Sequence, residues 1–221
     1  MKILLNLMLV LLLAWKASAQ GSLDAMLGYV GSSPTNSVVY SAISSNPGTT
    51  LGWTFQPTAN IDVTALGAFS YVLQNPGNLE IGLWNASGTL LASSTISVTG
   101  ISGTTVYQSI TPLMLLAGQT YYLGACSPTA SLYFYVVGPD SDSGGSATMS
   151  PEIQLGIAAY NTGSSFAFPG TTTGNPGDAI IAPNFQFQVV PEPSVSCLLS
   201  SVTVILFAIR QRRIKSPAAG V

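Results

Sequence analysis

The chain has 221 residues, of which 47% are hydrophobic and only 6% are charged, whereas about 25% of the residues in a typical soluble domain are charged. All six basic residues lie near the two ends, so residues 20–190 contain no Lys, Arg or His but hold seven of the eight carboxylates. Because phosphate backbones are bound by basic side chains, this composition argues against nucleic-acid binding, and the lack of His excludes most zinc sites and Ser/His or Cys/His catalytic systems.

The first 19 residues have the pattern of a secretory signal peptide. Lys2 gives a positive start, residues 3–14 are apolar apart from Asn6, and Ala17 and Ala19 stand at the small-residue positions that signal peptidase requires. We therefore expect cleavage after Ala19. The alternative, an uncleaved membrane anchor, is weaker because the apolar run has about 12 residues and a spanning helix needs about 20.

The body of the chain is predicted to be a single all-β domain at 50–189, joined by a Ser- and Gly-rich segment at 20–49. Short β-prone runs alternate there with turns that contain Pro, Gly and Asn, which is typical of a sandwich or barrel. We predict strands at 51–56, 61–73, 79–84, 89–98, 104–111, 120–125, 131–137, 153–160 and 180–190, with a further β-prone run at 37–43. Residues 161–178 are mostly Thr, Ser, Gly, Pro and Asn and are predicted to form a long surface loop.

The clearest strand pattern runs from Leu79 to Trp84 and supplies one candidate binding residue. Leu79, Ile81 and Leu83 share one face because strand side chains alternate, which leaves Trp84 on the other face. An exposed Trp could stack on a sugar ring, so Trp84 is the candidate carbohydrate contact. The alternative is packing within the protein, since Trp is highly buried on average.

Catalytic and metal-binding candidates are few. Asp62 and Glu80 could form the carboxylate pair of a glycoside hydrolase, or each could be a carboxylate in water, and we expect no enzyme activity. Asp140 and Asp142 precede glycines in the manner of half a calcium loop, although turn chemistry explains them equally without metal. Cys126 is expected to be a small buried residue rather than a reactive thiol. We expect no cofactor.

Three motifs in the body resemble a known module. They are Val-Thr-Ala-Leu-Gly at 63–67, Ile-Gly-Leu-Trp at 81–84 with Ser-Gly-Thr-Leu-Leu-Ala at 87–92, and Leu-Ala-Gly-Gln-Thr-Tyr-Tyr-Leu-Gly-Ala at 116–125. Together they resemble the DUF4082-like β-sandwich module of bacterial secreted proteins over residues 50–137. The resemblance implies a jelly-roll-like antiparallel sandwich. It implies no catalytic residues, because the shared motifs are turns and core positions.

The C-terminal segment 190–215 has three parts in order: a Pro-Glu-Pro turn, an apolar run at 194–209 and a basic end. The run has about 16 residues, which is at the short limit for a transmembrane helix. Basic residues after it predict that the C-terminus stays in the cytoplasm while the body crosses the membrane. The candidate functional residues of this segment are Pro191, Glu192 and Pro193 in the turn and Arg210, Arg212 and Arg213 in the basic end.

This tripartite end is similar to the PEP-CTERM sorting signal of Gram-negative bacteria. In that family an exosortase recognises the signal and is thought to cut it away, and the carriers are linked to exopolysaccharide and biofilm matrix. The resemblance implies an exported protein that is anchored transiently in the inner membrane and then reaches the cell surface or the extracellular space. The expected partners are signal peptidase, exosortase and exopolysaccharide. Two alternatives are a carbohydrate-binding module for exopolysaccharide and a plain surface protein with a single membrane span.

Overall fold

The computed structural model describes residues 21–30, 47–69, 77–98, 105–129, 135–137, 146–181 and 183–191. Residues Gln20–Val190 form one compact unit. The predicted signal peptide, the run at 37–43, Asp140, Asp142 and the predicted tail beyond Pro191 lie outside the described residues. Within the ranges given above, no helix is long and apolar enough to cross a membrane.

The regular structure of the described residues is entirely β-strand, which confirms the all-β prediction. The strands are β1 Leu23–Asp24, β2 Met26–Val30, β3 Thr50–Pro57, β4 Ile61–Phe69, β5 Gly77–Asn85, β6 Leu90–Val98, β7 Thr105–Leu115, β8 Tyr121–Cys126, β9 Tyr135–Val137, β10 Ser146–Met149, β11 Ile153–Asn161, β12 Thr171–Thr173, β13 Ala179–Ile181 and β14 Pro183–Val189. Val, Thr, Ile and aromatic residues, which β-propensity favours, make up half or more of β3, β9, β12 and β13.

Two antiparallel sheets make up most of the unit. One has four strands in the order β1-β14-β4-β7, and the other has six in the order β12-β11-β3-β8-β5-β6. Two smaller pairs, β10-β2 and β13-β9, accompany them. The first strand pairs with the last, since Leu23 is opposite Phe187, so the two ends of the body meet in one sheet.

The hydrophobic core fills the space between the two main sheets. On β5, Leu79, Ile81 and Leu83 are fully buried, which confirms the face predicted from alternation. The Trp53 indole of β3 crosses the core, and its Nε1 donates to the Pro183 carbonyl oxygen at 3.1 Å. Each buried Leu, Ile or Phe side chain contributes about 1.5–3 kcal/mol, so the inward faces supply most of the stabilisation.

The predicted strands agree with the structure where an apolar alternation marked them. The predicted strand at 180–190 is divided into β13 and β14, and the strands β1, β2 and β10 were not predicted. The predicted loop at 161–178 is wrong at residues 171–173, which form β12. All three of these threonines are exposed, so no apolar period marked them as a strand.

Candidate functional site on the outer face of the six-stranded sheet

Trp84 lies on the outer face of the six-stranded sheet, opposite to the core, as its sequence position predicted. Its indole is nevertheless only 3% exposed. The expectation that Trp84 is an exposed aromatic is therefore corrected: the ring is covered by a segment that follows much later in the chain. Trp84 therefore follows the alternative given above, in which its ring packs within the protein instead of facing water.

Two glycines on adjacent strands, Gly82 and Gly124, make room for the Trp84 ring. Gly82 and Gly52 both lie opposite Gly124, on the two strands that flank β8. A Cβ on Gly82 would lie 2.3 Å from Cη2 of Trp84, and one on Gly124 would lie 3.2 Å from its Cζ3. Real Cβ atoms do not approach that closely at Gly82, so the missing side chains form a trough that the indole occupies.

Residues 161–170, here called the outer strap, cover this trough. Ring centroids of Trp84 and Phe166 lie 5.2 Å apart, and those of Trp84 and Phe168 lie 6.3 Å apart. The Phe168 ring also meets Tyr122 edge-on at 4.8 Å. We call Trp84, Tyr122, Phe166 and Phe168 the outer aromatic cluster. Aromatic pairs at such separations contribute about 0.5–1.5 kcal/mol each beyond area burial.

Hydrogen bonds hold the outer strap at both of its ends. The Asn161 side chain donates from Nδ2 to the Phe168 carbonyl at 3.0 Å and accepts from the Gly163 amide at 2.7 Å. The Ala167 amide donates to Oγ1 of Thr50 at 3.1 Å. These neutral bonds fix the two phenylalanines over the sheet. The arrangement packs apolar surface against the outer face of the sheet.

Cys126 lies next to this region, opposite Glu80 and Thr50 on the neighbouring strands. It is a free cysteine with no exposed surface. Burial raises the pKa of its thiol to about 11, a hydrogen bond with Thr50 lowers it, and the charge of Glu80 raises it. The thiol is therefore protonated at neutral pH, and the prediction that Cys126 is buried is confirmed.

The candidate carboxylate pair, Asp62 and Glu80, is not brought together. Asp62 lies on β4 between the fully buried Ile61 and Val63, and Glu80 lies on β5 between two fully buried residues. Both carboxylates therefore face outward, from opposite sheets. Packed sheets lie about 10 Å apart, so the two groups are farther apart than the roughly 5–10 Å that glycoside hydrolysis requires.

A polar network that the sequence did not predict lies on the outer side of the four-stranded sheet. Asn184 donates from Nδ2 to the Tyr107 hydroxyl at 2.8 Å and to the Met26 carbonyl at 3.0 Å, and accepts from the Met26 amide at 3.0 Å. Burial, and then the nearby charge of Asp24, raises the pKa of Tyr107 well above its usual value. The only sequence signal was an Asn inside a strand, where Asn is depleted.

Asp178 is a buried carboxylate in the turn before β13. Its Oδ2 accepts from the Asn175 amide at 2.6 Å, while Oδ1 has no hydrogen-bond partner among the described residues. Gly174 has a φ of +82°, and a Cβ there would lie 2.3 Å from Oδ2. No group of three or more Asp, Glu, Cys or His side chains that could hold a metal occurs in the part of the chain that is described. We therefore assign the Asp178 carboxylate a structural role, in which it stabilises the turn at residues 174–178.

The last described residues show where the chain leaves the sandwich. After β14, the Val190 amide donates to the Asn60 carbonyl at 2.8 Å, and Pro191 is exposed. The remaining candidate residues, which belong to the predicted sorting signal and signal-peptidase site, lie outside the described ranges.

The fold and this face define an all-β antiparallel protein whose outer aromatic surface is closed by its own chain. The chain belongs to the family described as "Domain of unknown function (DUF4082)", whose model matches residues 34–176, more than half of the chain. The family resemblance is thereby confirmed, over a longer range than the motifs indicated.

Comparisons with individual proteins add little to the family match. No curated protein matches the sequence. Among solved structures, a similar one is titled "Crystal structure of infectious bursal disease virus VP2 subviral particle", at 11% sequence identity and a TM-score of 0.25. The match covers 87% of this chain and 48% of the viral chain, so this chain spans about half the length of the viral protein. At that TM-score the likeness carries no argument about function.

Proposed function

We propose that this protein is a non-enzymatic bacterial surface or extracellular-matrix protein, exported by its signal peptide and sorted by a C-terminal signal that an exosortase processes. The observation that carries the proposal is the order of Pro191-Glu192-Pro193, an apolar run and a basic end at the C-terminus. The exposure of Pro191 directly after β14 supports it, because a processing enzyme needs an accessible, extended segment next to the folded body.

The test replaces residues 191–193 with Ala in the full chain, expressed in a Gram-negative host that has an exosortase. We expect the wild-type protein to lose the residues after the motif, as measured by intact mass, and to appear at the cell surface or in the medium. The variant should keep its tail and stay in the inner membrane. Replacing Pro151 and Glu152 with Ala is a matched control, since it removes the same residue types from a turn of the body. Identical mature forms of wild type and the 191–193 variant would overturn the proposal.

The plain single-span anchor is the alternative that this experiment separates. A permanent anchor predicts that wild-type protein keeps residues 194–215 and remains in the membrane fraction.

We propose that the mature protein is surrounded by exopolysaccharide. Stacking on exposed aromatic rings is not the proposed mode, because none of the described Trp and Tyr side chains with an assigned burial is exposed. Co-sedimentation of purified residues 20–190 with the host's polysaccharide tests this association directly.

We also infer that the sandwich is of the jelly-roll type. Counting only β1, β3–β8 and β14, the two sheets have the orders first-eighth-third-sixth and second-seventh-fourth-fifth, which supports two interlocked Greek keys. The strands β9–β13 form an insertion before the last strand, and the insertion contains the outer strap. A nuclear magnetic resonance map of cross-strand contacts that lacked the β1–β14 and β3–β8 pairs would contradict this topology.

A further inference from the structure

Three of the four exposed large hydrophobic residues in the described part of the chain lie at one end of the sandwich. They are Leu90, Met114 and Leu116, with exposed fractions of 45%, 56% and 48%, whereas the fourth, Leu27, lies elsewhere. We call these three residues the apolar rim. Single exposed hydrophobic residues need no explanation, but three that share one end of a domain indicate a contact surface.

Strand register places the rim residues at the same end of the sandwich. Met114 lies on the outer face of the four-stranded sheet, beside Asp62, and Leu90 lies on the outer face of the six-stranded sheet, beside Trp84. Leu115 lies opposite Ile61, which in turn lies opposite Val189, so Met114 and Leu116 flank the last row of the four-stranded sheet. The six-stranded sheet ends at the same level, because the Leu116 amide donates to the Tyr121 hydroxyl at 3.0 Å.

Leu90 belongs to that same level. Tyr121 lies opposite Asn85, and the turn after Asn85 leads directly to Leu90, which lies opposite Trp84. The edge strands β6 and β7 are in contact. The rim therefore spans both sheets at one corner of the sandwich.

The chain leaves the sandwich at this end. Asn60 accepts from the Val190 amide with its backbone carbonyl at 2.8 Å and from the Ala117 amide with its side-chain oxygen at 2.9 Å. One residue thus holds both the exit of the chain and the turn that begins with Leu116. Three residues, 191–193, separate Val190 from the apolar run, and three to four extended residues reach only about 10–14 Å.

We propose that the apolar rim inserts into the interface of the bilayer that holds the C-terminal run before processing. The inference rests on the proposed function, because the run must be in a membrane. Short linkage brings this end of the body to the lipid, and side chains of Leu and Met match the boundary between headgroups and acyl chains, about 5–10 Å deep. The Asp62 carboxylate lies opposite Met114, so only the rim side chains enter the interface. Because the body has no basic residues, we expect the contact to form on neutral or zwitterionic lipid.

The test uses residues 20–221, the chain expected after signal-peptide cleavage, with Cys197 replaced by Ser, reconstituted in phosphatidylcholine vesicles. Met114→Cys and Leu116→Cys each carry a polarity-sensitive NBD label, while Cys126 is buried and does not react. Leu27→Cys is the matched control. Leu27 is 57% exposed but lies far from the rim. Its neighbour Met26 is hydrogen-bonded to Asn184, which lies opposite Gly67, and Gly67 is about 20 Å along β4 from the end where the chain leaves the sandwich.

Blue-shifted emission and quenching by brominated acyl chains at positions 114 and 116, with a water-like signal at 27, are expected. Vesicle flotation separates the two proposals. A chain that floats but whose three labels all report water overturns the rim contact alone, whereas a chain that fails to float overturns the membrane tail and the rim contact together. Equal shifts at all three positions would also contradict a contact confined to the rim.

Discussion

At the scale of single residues, glycines decide where large aromatic side chains lie outside the core. Gly82 and Gly124 leave a trough for Trp84, and Gly67 does the same for Tyr107, since a Cβ on Gly67 would lie 2.4 Å from the Tyr107 ring. Gly67 lies between Tyr107 and Asn184 in register, so the phenol crosses it to reach the amide. In both places an aromatic ring occupies the space above a strand rather than standing out into water.

Replacing Trp84 with Ala should destabilise the body by about 3–5 kcal/mol, because truncating a buried Trp removes apolar contact and leaves a cavity. Urea unfolding of purified residues 20–190, followed by circular dichroism, measures the effect. Leu90→Ala is the control, since Leu90 lies opposite Trp84 but is exposed and should change stability by about 0.5 kcal/mol or less. Equal midpoints for Trp84→Ala and wild type would show that the outer aromatic cluster is not packed.

Cys126 should make the stability of the body fall as pH rises from about 9 to about 11. Its pKa is raised from 9.0 to about 11 in the folded protein, so the folded state holds the proton more tightly than the unfolded chain. The corresponding stabilisation is complete below pH 9 and is lost as pH passes through 11; two pKa units correspond to about 3 kcal/mol.

Urea midpoints between pH 8.5 and 10 test this pH dependence, since Tyr107 contributes a loss of the same sign above pH 10. Cys126→Ala should be less stable at every pH but show a flatter profile in this window. Parallel profiles for Cys126→Ala and wild type would assign the pH dependence to other groups.

At the scale of elements, the sequence pattern predicted the longer strands of the main sheets, but not the short edge strands β1 and β12 or how the outer face is closed. The pattern at 79–84 placed Leu79 and Trp84 on opposite faces correctly, because side-chain direction is a local property. The burial of Trp84 depends on Phe166 and Phe168, in a segment whose Ser, Gly and Pro content predicted only a loop. Contacts between segments so far apart leave no periodic signal, and the same is true of the Asn184 network.

The outer strap should open locally when its polar bonds are removed. Asn161→Ala eliminates the bonds to Gly163 and Phe168, so amides in 163–169 should exchange with solvent at least several-fold faster, while those of β3 and β8 stay protected. Hydrogen exchange read by mass spectrometry measures this. Asn175→Ala is the control, because its side chain is exposed outside the strap. Faster exchange throughout the sheet would mean that the strap is not a separate unit of stability.

At the scale of the whole molecule, the body is held together without internal ion pairs, since residues 20–190 contain no basic side chain. Among the described residues, most side-chain hydrogen bonds join neutral groups instead, and only a few end on the carboxylates of Asp24, Glu152 and Asp178. Oγ1 of Thr54 accepts from the Ile157 amide at 2.8 Å, and Oδ1 of Asn85 accepts from the Ser87 and Thr89 amides. A fold stabilised by apolar burial and neutral hydrogen bonds depends little on salt.

Closure of the fold depends on the two ends of the body. Asp24 and Gln186, 162 positions apart, lie side by side, and Nε2 of the Gln186 side chain donates to Oδ1 of Asp24 at 3.0 Å. Pairing between such distant segments carries a large loop-closure cost. The four-stranded sheet is therefore complete only after β14 has been synthesised.

Removing residues 20–30 from the body should cost several kcal/mol, although a segment at the end of a chain is often dispensable. Ala25 and Met26 belong to the core, and losing Met26 leaves the buried Asn184 amide without two of its partners, at about 1–3 kcal/mol. Residues 31–191 should therefore unfold at a clearly lower urea concentration than residues 20–191. A chain that starts at Leu23 is the control and should match the longer one, because Gly21 and Ser22 are exposed. Equal stability of 31–191 and 20–191 would remove β1 and β2 from the structural unit and leave residues 47–190 as the folding core.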